Sequence, residues 1–378
     1  MSHDNPAIII DLGSGSVKAG FSGEPGPRVV FPNLVGRPKA PGIMVGAAQR
    51  EFHVGAAAEM YRGVLNLKSP VSHGVVEDWE DLQKVLEHTF QDQLGVDPAG
   101  YNVMITEPPL NPKSHRERMT QLLFDSFGVG GLYIGISAVL TLYHVGAFTG
   151  LVVDIGDAVT HFVPIFDGYP LPHSILRIDL AGQDVSQYLR KLLYARGVHL
   201  SSSSADLAAL RGAKESACYV AQDFEEATRA AEAGACEEVE VPLPDGGVLR
   251  LGAERFRAPE LLFRPSLMDR TFGGLAELAF QSIMKSDVDV RKDLFQRIIV
   301  CGGSSRFPGL RERLEREVQR LAPRAVSSLV RCLDAPTGSD SAWLGGSVLS
   351  TQSTFGTMWV TKDEYEDAGP TIVHRKCF

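Results

Sequence analysis

Residues 7–15 read Ala-Ile-Ile-Ile-Asp-Leu-Gly-Ser-Gly, an apolar run that ends in an acidic residue and a glycine-containing turn. A short run of β-branched residues bounded by glycine is typical of a buried strand that enters a tight turn. The apolar pattern resumes over 17–21, so we predict a β-hairpin. A similar unit recurs as Gly-Leu-Val-Val-Asp at 150–154, the turn Ile-Gly-Asp-Ala, and a second strand over 159–166. The chain is therefore predicted to contain two halves that open alike.

Helical patterns lie between the two hairpins and after the second one. The apolar spacing over 82–90 is that of one helix face, and Ser114 with Glu117 has the spacing of an N-terminal capping box. Further helices are predicted over 184–195 and 310–321. Strands that alternate with helices indicate an α/β architecture.

Length and composition narrow the class of protein. A chain of 378 residues is long enough for two or more domains, and 44% hydrophobic with 22% charged residues is typical of a globular protein. The net charge of −9, without a dense Lys/Arg run, argues against direct binding of nucleic acid. The five scattered cysteines have no zinc spacing, and no segment has the length of a membrane span. We expect a soluble, intracellular protein with no membrane partner.

The two hairpins together suggest a nucleotide site. Glycine turns let backbone N–H groups approach phosphate oxygens closely, so two such turns could clamp a polyphosphate. Ser14 adds a hydroxyl group and Lys18 a positive charge. Asp11 and Asp154 are suited to hold the waters of a divalent cation. Each turn alone is explained equally well by ordinary turn chemistry.

A third glycine turn follows a further apolar run. The sequence Cys-Gly-Gly-Ser-Ser at 301–305 contains paired glycines, against which a flat base could lie. By itself this turn is better interpreted as a simple strand-to-helix connection. The ordered set of two hairpins and one Gly-Gly turn is far more specific, and it predicts a nucleotide-binding protein.

Longer motifs extend over nearly the whole chain. They include FPNLVGRP at 31–38, DLAG at 179–182, SIMK at 282–285, DVDVRKDL at 287–294 and GPTIVHRKCF at 369–378. On these motifs the chain, from Pro6 to Phe378, resembles the actin family. Residues 256–265 resemble the actin-related subunit of the dynactin minifilament, whereas the rest is more similar to conventional actin.

The resemblance implies a two-lobed fold shared with the heat-shock chaperone ATPases, built from duplicated RNase H-like domains. Its nucleotide cleft would hold ATP or ADP with Mg or Ca. The implied subdomains are subdomain 1 at 1–32, 70–144 and 340–378, subdomain 2 at 33–69 with a filament-contact loop at 39–51, subdomain 3 at 145–180 and 271–339, and subdomain 4 at 181–270.

By motif, the resemblance also assigns residues to the nucleotide. Those at the phosphates would be Ser14, Gly15, Lys18, Gly156, Asp157 and Val159. Those at the ribose and adenosine would be Gly182, Arg211, Lys214, Glu215, Gly302, Gly303 and Phe307. Asp11 and Asp154 would hold the metal through water. Gln183 replaces an arginine of the family, and residues 337–341 have diverged where actin has basic and aromatic residues.

The hydrolytic machinery is altered. In actin a glutamine in the motif Gln-Ala-Val-Leu positions the attacking water, helped by a histidine. Here Ser137 replaces the glutamine, while His161 and Asp154 are retained as catalytic residues. Serine is too short to hold that water, so we predict slow hydrolysis. Alternatively, His161 is only a buried, hydrogen-bonded histidine.

A second change in this region is Ala158, which stands where actin has glycine. If the turn requires a positive φ, alanine costs roughly 1 kcal/mol; otherwise the position simply tolerates it. His73 matches the histidine that actins methylate, and Cys377 matches their reactive cysteine near the C-terminus.

The loop at 39–51 carries an apolar tip, Ile43, Met44 and Val45. In actin filaments this loop inserts into the next subunit, and the alternative is that it packs on its own domain. The receptor groove would contain Tyr143, Gly146, Phe148, Val348, Leu349, Thr351 and Met358. Phe148 and His144 replace smaller residues, so we expect a narrower groove and altered partner choice.

Three functions follow from these patterns. The first is a cytoplasmic, cytoskeletal polymer subunit that self-associates into filaments and binds actin-binding or motor-complex proteins. The second is an actin-related subunit of a larger machine, such as dynactin, an axonemal dynein complex or a chromatin remodeller. The third is a metabolic kinase of the same fold, which would need a carboxylate base and a sugar pocket, and the sequence offers no candidate for either.

Overall fold

The computed structural model describes residues 6–40, 50–201, 203–243 and 246–377. The chain divides into two compact units, which are described separately. The first unit comprises Met1–Thr149, Ile165–Pro172 and Ala335–Phe378. The second unit comprises Gly150–Pro164 and His173–Asp334.

The strands are numbered in chain order. They are β1 Ile8–Leu12, β2 Ser16–Phe21, β3 Val29–Pro32, β4 Val35–Pro38, β5 His53–Val54, β6 Leu65–Lys68, β7 Val71–Ser72, β8 Val75–Val76, β9 Asn102–Glu107, β10 Gly131–Ile136, β11 Gly150–Ile155, β12 Thr160–Phe166, β13 Tyr169–Pro170, β14 Leu176–Ile178, β15 Val239–Pro242, β16 Val248–Leu251, β17 Ile298–Cys301, β18 Cys332–Asp334 and β19 Val360–Thr361.

The α-helices are numbered in the same way. They are α1 Gly55–Met60, α2 Trp79–Glu87, α3 Lys113–Gln121, α4 Ser137–His144, α5 Gly182–Ala195, α6 Ser204–Ala217, α7 Phe224–Glu232, α8 Glu254–Glu260, α9 Leu275–Lys285, α10 Val288–Gln296, α11 Leu310–Leu321, α12 Arg324–Ser327, α13 Ser341–Ser350, α14 Lys362–Ala368 and α15 Val373–Lys376.

The first unit is built on a sheet with the strand order β19-β10-β9-β1-β2-β3. Strand β1 is central, antiparallel to β2 and parallel to β9, so its isoleucines at 8–10 are completely buried. Helix α13 contacts β1, and the indole N–H of its buried Trp343 donates to the carbonyl oxygen of Ile9 at 2.9 Å. This packing fixes the strand that ends in Asp11.

The second unit has a sheet with the order β12-β11-β17-β18, with β14 paired to β12. Strand β11 is parallel to β17, and the register sets Asp154 beside Cys301, directly before the Gly-Gly turn. Buried apolar runs such as Ile298–Cys301 are expected for parallel strands covered on both faces. The carboxyl ends of β11 and β17 therefore meet at one sheet edge.

Most elements predicted from the sequence are present, including both hairpins and the helix over 310–321. The predicted capping box at Ser114 is wrong. Helix α3 begins at Lys113 with Pro112 as its N-cap, so Ser114 lies inside the first turn and no side-chain cap forms. The carboxylate of Glu117 lies 2.8 Å from His374 Nε2 instead. Within the described part of the chain, no helix has both the length and the apolar character of a membrane span.

Candidate functional site

The first hairpin holds a charged pair. Asp11 on β1 lies opposite Lys18 on β2, and Lys18 Nζ donates to Asp11 Oδ2 at 2.8 Å and to the carbonyl oxygen of Ser339 at 2.5 Å. The two side chains are only 9% and 11% exposed. Thr106 Oγ1 donates to Asp11 Oδ1 at 2.7 Å and accepts from the backbone N–H of Leu12 at 3.1 Å. Both carboxylate oxygens are thus held in fixed positions.

The turn of this hairpin is braced from outside. Ser14 Oγ accepts from the backbone N–H of Gly74 at 2.9 Å, and the Asn33 side chain donates to the carbonyl oxygen of Gly13 at 2.9 Å. The backbone N–H of Asn33 also donates to the carbonyl oxygen of Gly15 at 3.3 Å. A braced turn keeps its backbone N–H groups in place for an anion without further ordering.

The second hairpin closes through a hydrogen bond from Gly156 N to the carbonyl oxygen of Val159 at 3.0 Å. Asp157 in this turn accepts from Gln183 Nε2 at 2.8 Å and lies 3.5 Å from the guanidinium of Arg211. The backbone N–H of Gln183 also donates to the carbonyl oxygen of Asp157 at 2.7 Å. Gln183 therefore holds the turn by hydrogen bonds, although it lacks the charge of the arginine it replaces.

The start of α5 lies against this turn. The backbone N–H of Gly182 donates to the carbonyl oxygen of Gly156 at 3.2 Å, and Ser304 Oγ donates to the same oxygen at 2.7 Å. A Cβ atom at Gly182 would lie only 2.5 Å from Ser304 Oγ. Lys214 Nζ donates to the carbonyl oxygen of Gly182 at 2.9 Å, and burial lowers the pKa of Lys214. This close approach explains why glycine occupies position 182.

The Gly-Gly turn also requires its first glycine. Gly302 has a φ of +88°, and a Cβ atom there would lie 2.5 Å from Asp154 Oδ1 and 2.3 Å from the carbonyl oxygen of Ile155. A Cβ atom at Gly303, in contrast, would meet nothing within 4 Å. The second glycine thus presents open backbone, as a site for a flat ligand requires. Phe307 is buried after this turn.

His161 on β12 has an open hydrogen-bonding position. Its Nε2 is buried and has no hydrogen-bond partner among the described residues, and the residue is only 3% exposed. Burial lowers the pKa of His161 to about 4, so the imidazole is neutral at pH 7. Buried polar atoms are nearly always satisfied, so an open nitrogen indicates a place for water or a ligand. The alternative of a fully hydrogen-bonded structural histidine is not supported.

Two substitutions that the resemblance connects with hydrolysis lie in different units, Ser137 in the first and Ala158 in the second. Ser137 is the first residue of α4 and is half-buried. Ala158 is 6% exposed and does not have a positive φ, so the expected backbone strain at this position is absent. The turn tolerates alanine because its backbone lies in a region open to any residue. Glu215 and Arg211 are exposed on α6, whereas Lys214 on the same helix is buried.

The comparison with known protein families covers both units of the chain. The family model described as Actin matches residues 2–378. The chain belongs to the actin family. Membership supports an actin-like protein that binds ATP, because members generally bind a nucleotide together with a divalent cation. It also indicates a cytoskeletal protein with self-association or actin-binding partners in general.

The residues of this actin-family chain fit such a ligand. The immobilised carboxylate of Asp11, the Lys18 ammonium and the braced turn N–H groups suit a hydrated cation and phosphate oxygens. Among the described residues, no group of three or more His, Cys, Asp or Glu could hold a metal ion. A bound cation would therefore take most of its ligands from water and phosphate, as Mg²⁺ commonly does.

A groove in the first unit contains five of the seven residues predicted to form it. The cavity measures about 640 Å³, and its lining includes Tyr143, Phe148, Val348, Leu349 and Met358 but not Gly146 or Thr351. Phe148 is 56% exposed and packs edge-to-face on Tyr143, with ring centroids 5.4 Å apart. The tip residues Ile43, Met44 and Val45 lie outside the described residues.

Two expectations about individual side chains are wrong. His144 does not line the groove; its Nε2 lies 3.3 Å from Thr337 Oγ1. Cys377 is not an accessible tail thiol, because it is 1% exposed and its sulfur accepts from the backbone N–H of Ile134 at 3.3 Å. Burial raises the pKa of Cys377 to about 11, which keeps the thiol protonated and unreactive at neutral pH.

Sequence reasoning missed several residues that hold the site together. They share long-range hydrogen bonds to the hairpins and are Asn33, Thr106, Ser304 and Ser339. Asn33 lies within the motif at 31–38, which was a usable signal. The contact of Ser339 uses its backbone carbonyl, so no side-chain pattern could have revealed it.

Proposed function

We propose that this actin-family protein is a cytoplasmic, filament-forming subunit that binds ATP or ADP with Mg or Ca and hydrolyses ATP slowly. The observation that carries the proposal is the open, buried Nε2 of neutral His161 combined with serine at position 137. A neutral imidazole can bond a water, but the longer side chain that would fix this water is missing.

Each hairpin has a separate task in this proposal. Lys18 and the turn N–H groups around Ser14 and Gly15 bind phosphate oxygens, and Asp11 with Asp154 orients the waters of the cation. Gly156, Asp157 and Val159 contact the phosphates from the second hairpin. Residues for the ribose and base are Gly182, Arg211, Lys214, Glu215, Gly302, Gly303 and Phe307.

In the hydrolysis step, His161 forms a hydrogen bond with the attacking water. A cation held there would neutralise charge on the phosphates.

The groove supports the polymer part of the proposal. Its volume of about 640 Å³ is within the range of cavities that bury small apolar ligands. A second copy of the chain would insert the apolar tip Ile43, Met44 and Val45 there. The subdomain limits implied by the resemblance remain part of the same proposal, with subdomain 2 at 33–69 carrying the inserting loop.

Electron microscopy and phosphate release on one purified sample test this function. With Mg-ATP we expect filaments whose phosphate release is markedly slower than that of conventional actin under matched polymer conditions. Replacing Met44 and Val45 by aspartate should abolish assembly, because an unpaired charge buried at an interface is strongly destabilising. Phosphate release as fast as that of conventional actin would overturn the role given to Ser137.

A second candidate function is an actin-related subunit of a larger machine, with ATP as a structural ligand. It is favoured by the loss of the water-orienting glutamine at position 137. Wild-type protein that is monomeric at high concentration with Mg-ATP, yet carries tightly bound nucleotide, would establish this alternative. No observation in the described residues favours the metabolic kinase.

A further inference from the structure

The ammonium group of Lys18 has a second acceptor from a distant part of the chain. Its Nζ donates to the carbonyl oxygen of Ser339 at 2.5 Å, in addition to Asp11 Oδ2 at 2.8 Å. Ser339 lies in the 3₁₀ turn Gly338–Asp340, immediately before α13. The position of this turn therefore helps to set the direction of the Lys18 side chain.

The turn is itself held by side chains. Thr337 Oγ1 lies 3.3 Å from His144 Nε2, at the last residue of α4, and 3.1 Å from Ser341 Oγ, at the first residue of α13. Ser341 is buried and His144 is half-buried. Within the turn, Ser339 Oγ donates to Asp340 Oδ1 at 2.9 Å. Thr337 thus joins the ends of two packed helices at the point where the turn begins.

A lysine needs such support if it is to hold a phosphate in one place. Its side chain has four rotatable bonds and loses roughly 1.5–2 kcal/mol of rotamer entropy when it is fixed. One carboxylate partner leaves the ammonium free to rotate about a single contact, whereas two acceptors in different directions define its position. If the 337–341 turn were not held in place, the Lys18 side chain would regain part of this rotamer entropy.

We propose that Thr337 and His144 are positioning residues for Lys18. They hold the 337–341 turn in place, so that the carbonyl oxygen of Ser339 directs the Lys18 ammonium towards a nucleotide phosphate. The inference rests on the proposed nucleotide-binding function and deepens it. Neither residue touches the ligand; both act through the backbone of Ser339. Because Lys18 would contact the terminal phosphates, the effect is larger for a triphosphate than for a diphosphate.

The test measures dissociation of fluorescent ATP and ADP analogues from the full chain with Mg²⁺. Thr337→Val removes both hydrogen bonds of the hydroxyl group and should speed release of the ATP analogue about fivefold or more, since losing one hydrogen bond typically has about a fivefold effect; release of the ADP analogue should change less. Thr337→Ser keeps the hydroxyl group and should behave as wild type. The matched control is Thr371→Val, since Thr371 Oγ1 also makes a hydrogen bond, to the carbonyl oxygen of Ala368 at 3.2 Å, but in an exposed turn.

Action through Lys18 is tested by a double-mutant cycle. Thr337→Val should have no further effect in a Lys18→Met background, because the group that it positions is gone. Equal acceleration in both backgrounds, or equal acceleration for both analogues, would reduce Thr337 to a general structural residue and overturn the inference. His144→Ala provides a second route to the same loss if Thr337→Val does not fold.

Failure of the proposed function is distinguishable from failure of this inference. If wild-type protein binds neither analogue, the nucleotide-binding function itself is wrong. If wild type binds both, and Thr337→Val and His144→Ala release them at the rate of Thr371→Val, nucleotide binding stands and the positioning role is wrong.

Discussion

The two hairpins share a backbone plan but differ in how their polar groups are satisfied. In the first, the carboxylate of Asp11 is bonded on both oxygens, by Lys18 and Thr106. In the second, the buried Nε2 of His161 has no hydrogen-bond partner within the part of the chain that the structure describes. The first hairpin therefore carries a charged cluster in which both carboxylate oxygens are hydrogen-bonded, whereas the second carries a neutral imidazole nitrogen that can still form a hydrogen bond.

This difference determines which buried polar group in each hairpin lowers the stability of the folded protein when it lacks a partner. A buried ion pair is stable only while both members are present, since removing one leaves an uncompensated charge. A buried nitrogen without a hydrogen-bond partner lowers the stability of the folded protein by about 1–3 kcal/mol. Such a nitrogen is expected where a water or a ligand can bond to it. The first arrangement suits binding of charge, and the second suits contact with a water.

The largest expected effect is on the first hairpin. Asp11→Ala should lower the free energy of unfolding by about 3 kcal/mol or more, because the buried Lys18 ammonium would lose its ion pair with Asp11. Chemical denaturation measures this. Lys68→Ala is the control, since its pair with Asp78 is solvent-exposed and its loss should cost far less stability. Equal losses in the two variants would mean that the Asp11 pair behaves as a surface pair.

The next effect concerns the open nitrogen of the second hairpin. Ser137→Gln should raise the rate of phosphate release by up to about a hundredfold, the change associated with correcting a misplacement of about 1 Å. The gain should disappear in a Ser137→Gln, His161→Ala double variant. A gain that survives removal of His161 would show that another group positions the water.

The pH dependence of stability distinguishes the hairpins further. The pKa of His161 is lowered from 6.5 to about 4 in the folded state, so the unfolded state binds the proton more tightly. The contribution of His161 to the free energy of unfolding is nearly constant above pH 6.5. It falls as the pH falls from 6.5 towards 4. At pH 5 the loss should be about 2 kcal/mol relative to pH 7. Denaturation of His161→Gln should lack this component; an unchanged pH slope would contradict it.

The smallest effect is expected at the turn of the second hairpin. Ala158→Gly should lower stability by about 0.5–1 kcal/mol and should not accelerate hydrolysis, because Ala158 has no positive φ to relieve. Thermal unfolding and phosphate release report the two quantities. A stabilised variant with faster turnover would show that alanine strains this turn.

Local patterns predicted the elements of the fold well. The runs at 7–15 and 150–154 combine apolar burial with glycine turns, and both signals act over a few residues. The capping box at Ser114 failed because Pro112 takes the N-cap position, which leaves Ser114 inside the helix, and Glu117 instead has a tertiary partner, His374, far along the chain. Local spacing cannot anticipate a partner of that kind.

The site was predictable where a residue type is itself the signal, as for Asp11, Lys18 and the paired glycines at 302–303. It was not predictable where the contact depends on the fold. Thr106 reaches Asp11 only because β9 lies next to β1. The direction of His144, towards Thr337 and not into the groove, is likewise set by packing at the end of α4.

The placement of Trp343 determines what fluorescence can report. Its indole is completely buried and bonded to the strand that ends in Asp11. The other two tryptophans, Trp79 and Trp359, also belong to the first unit, so the second unit contains none of the three. Intrinsic tryptophan emission is therefore a reporter of one half of the molecule. Loss of structure confined to the other half would leave this signal largely unchanged and has to be followed by circular dichroism.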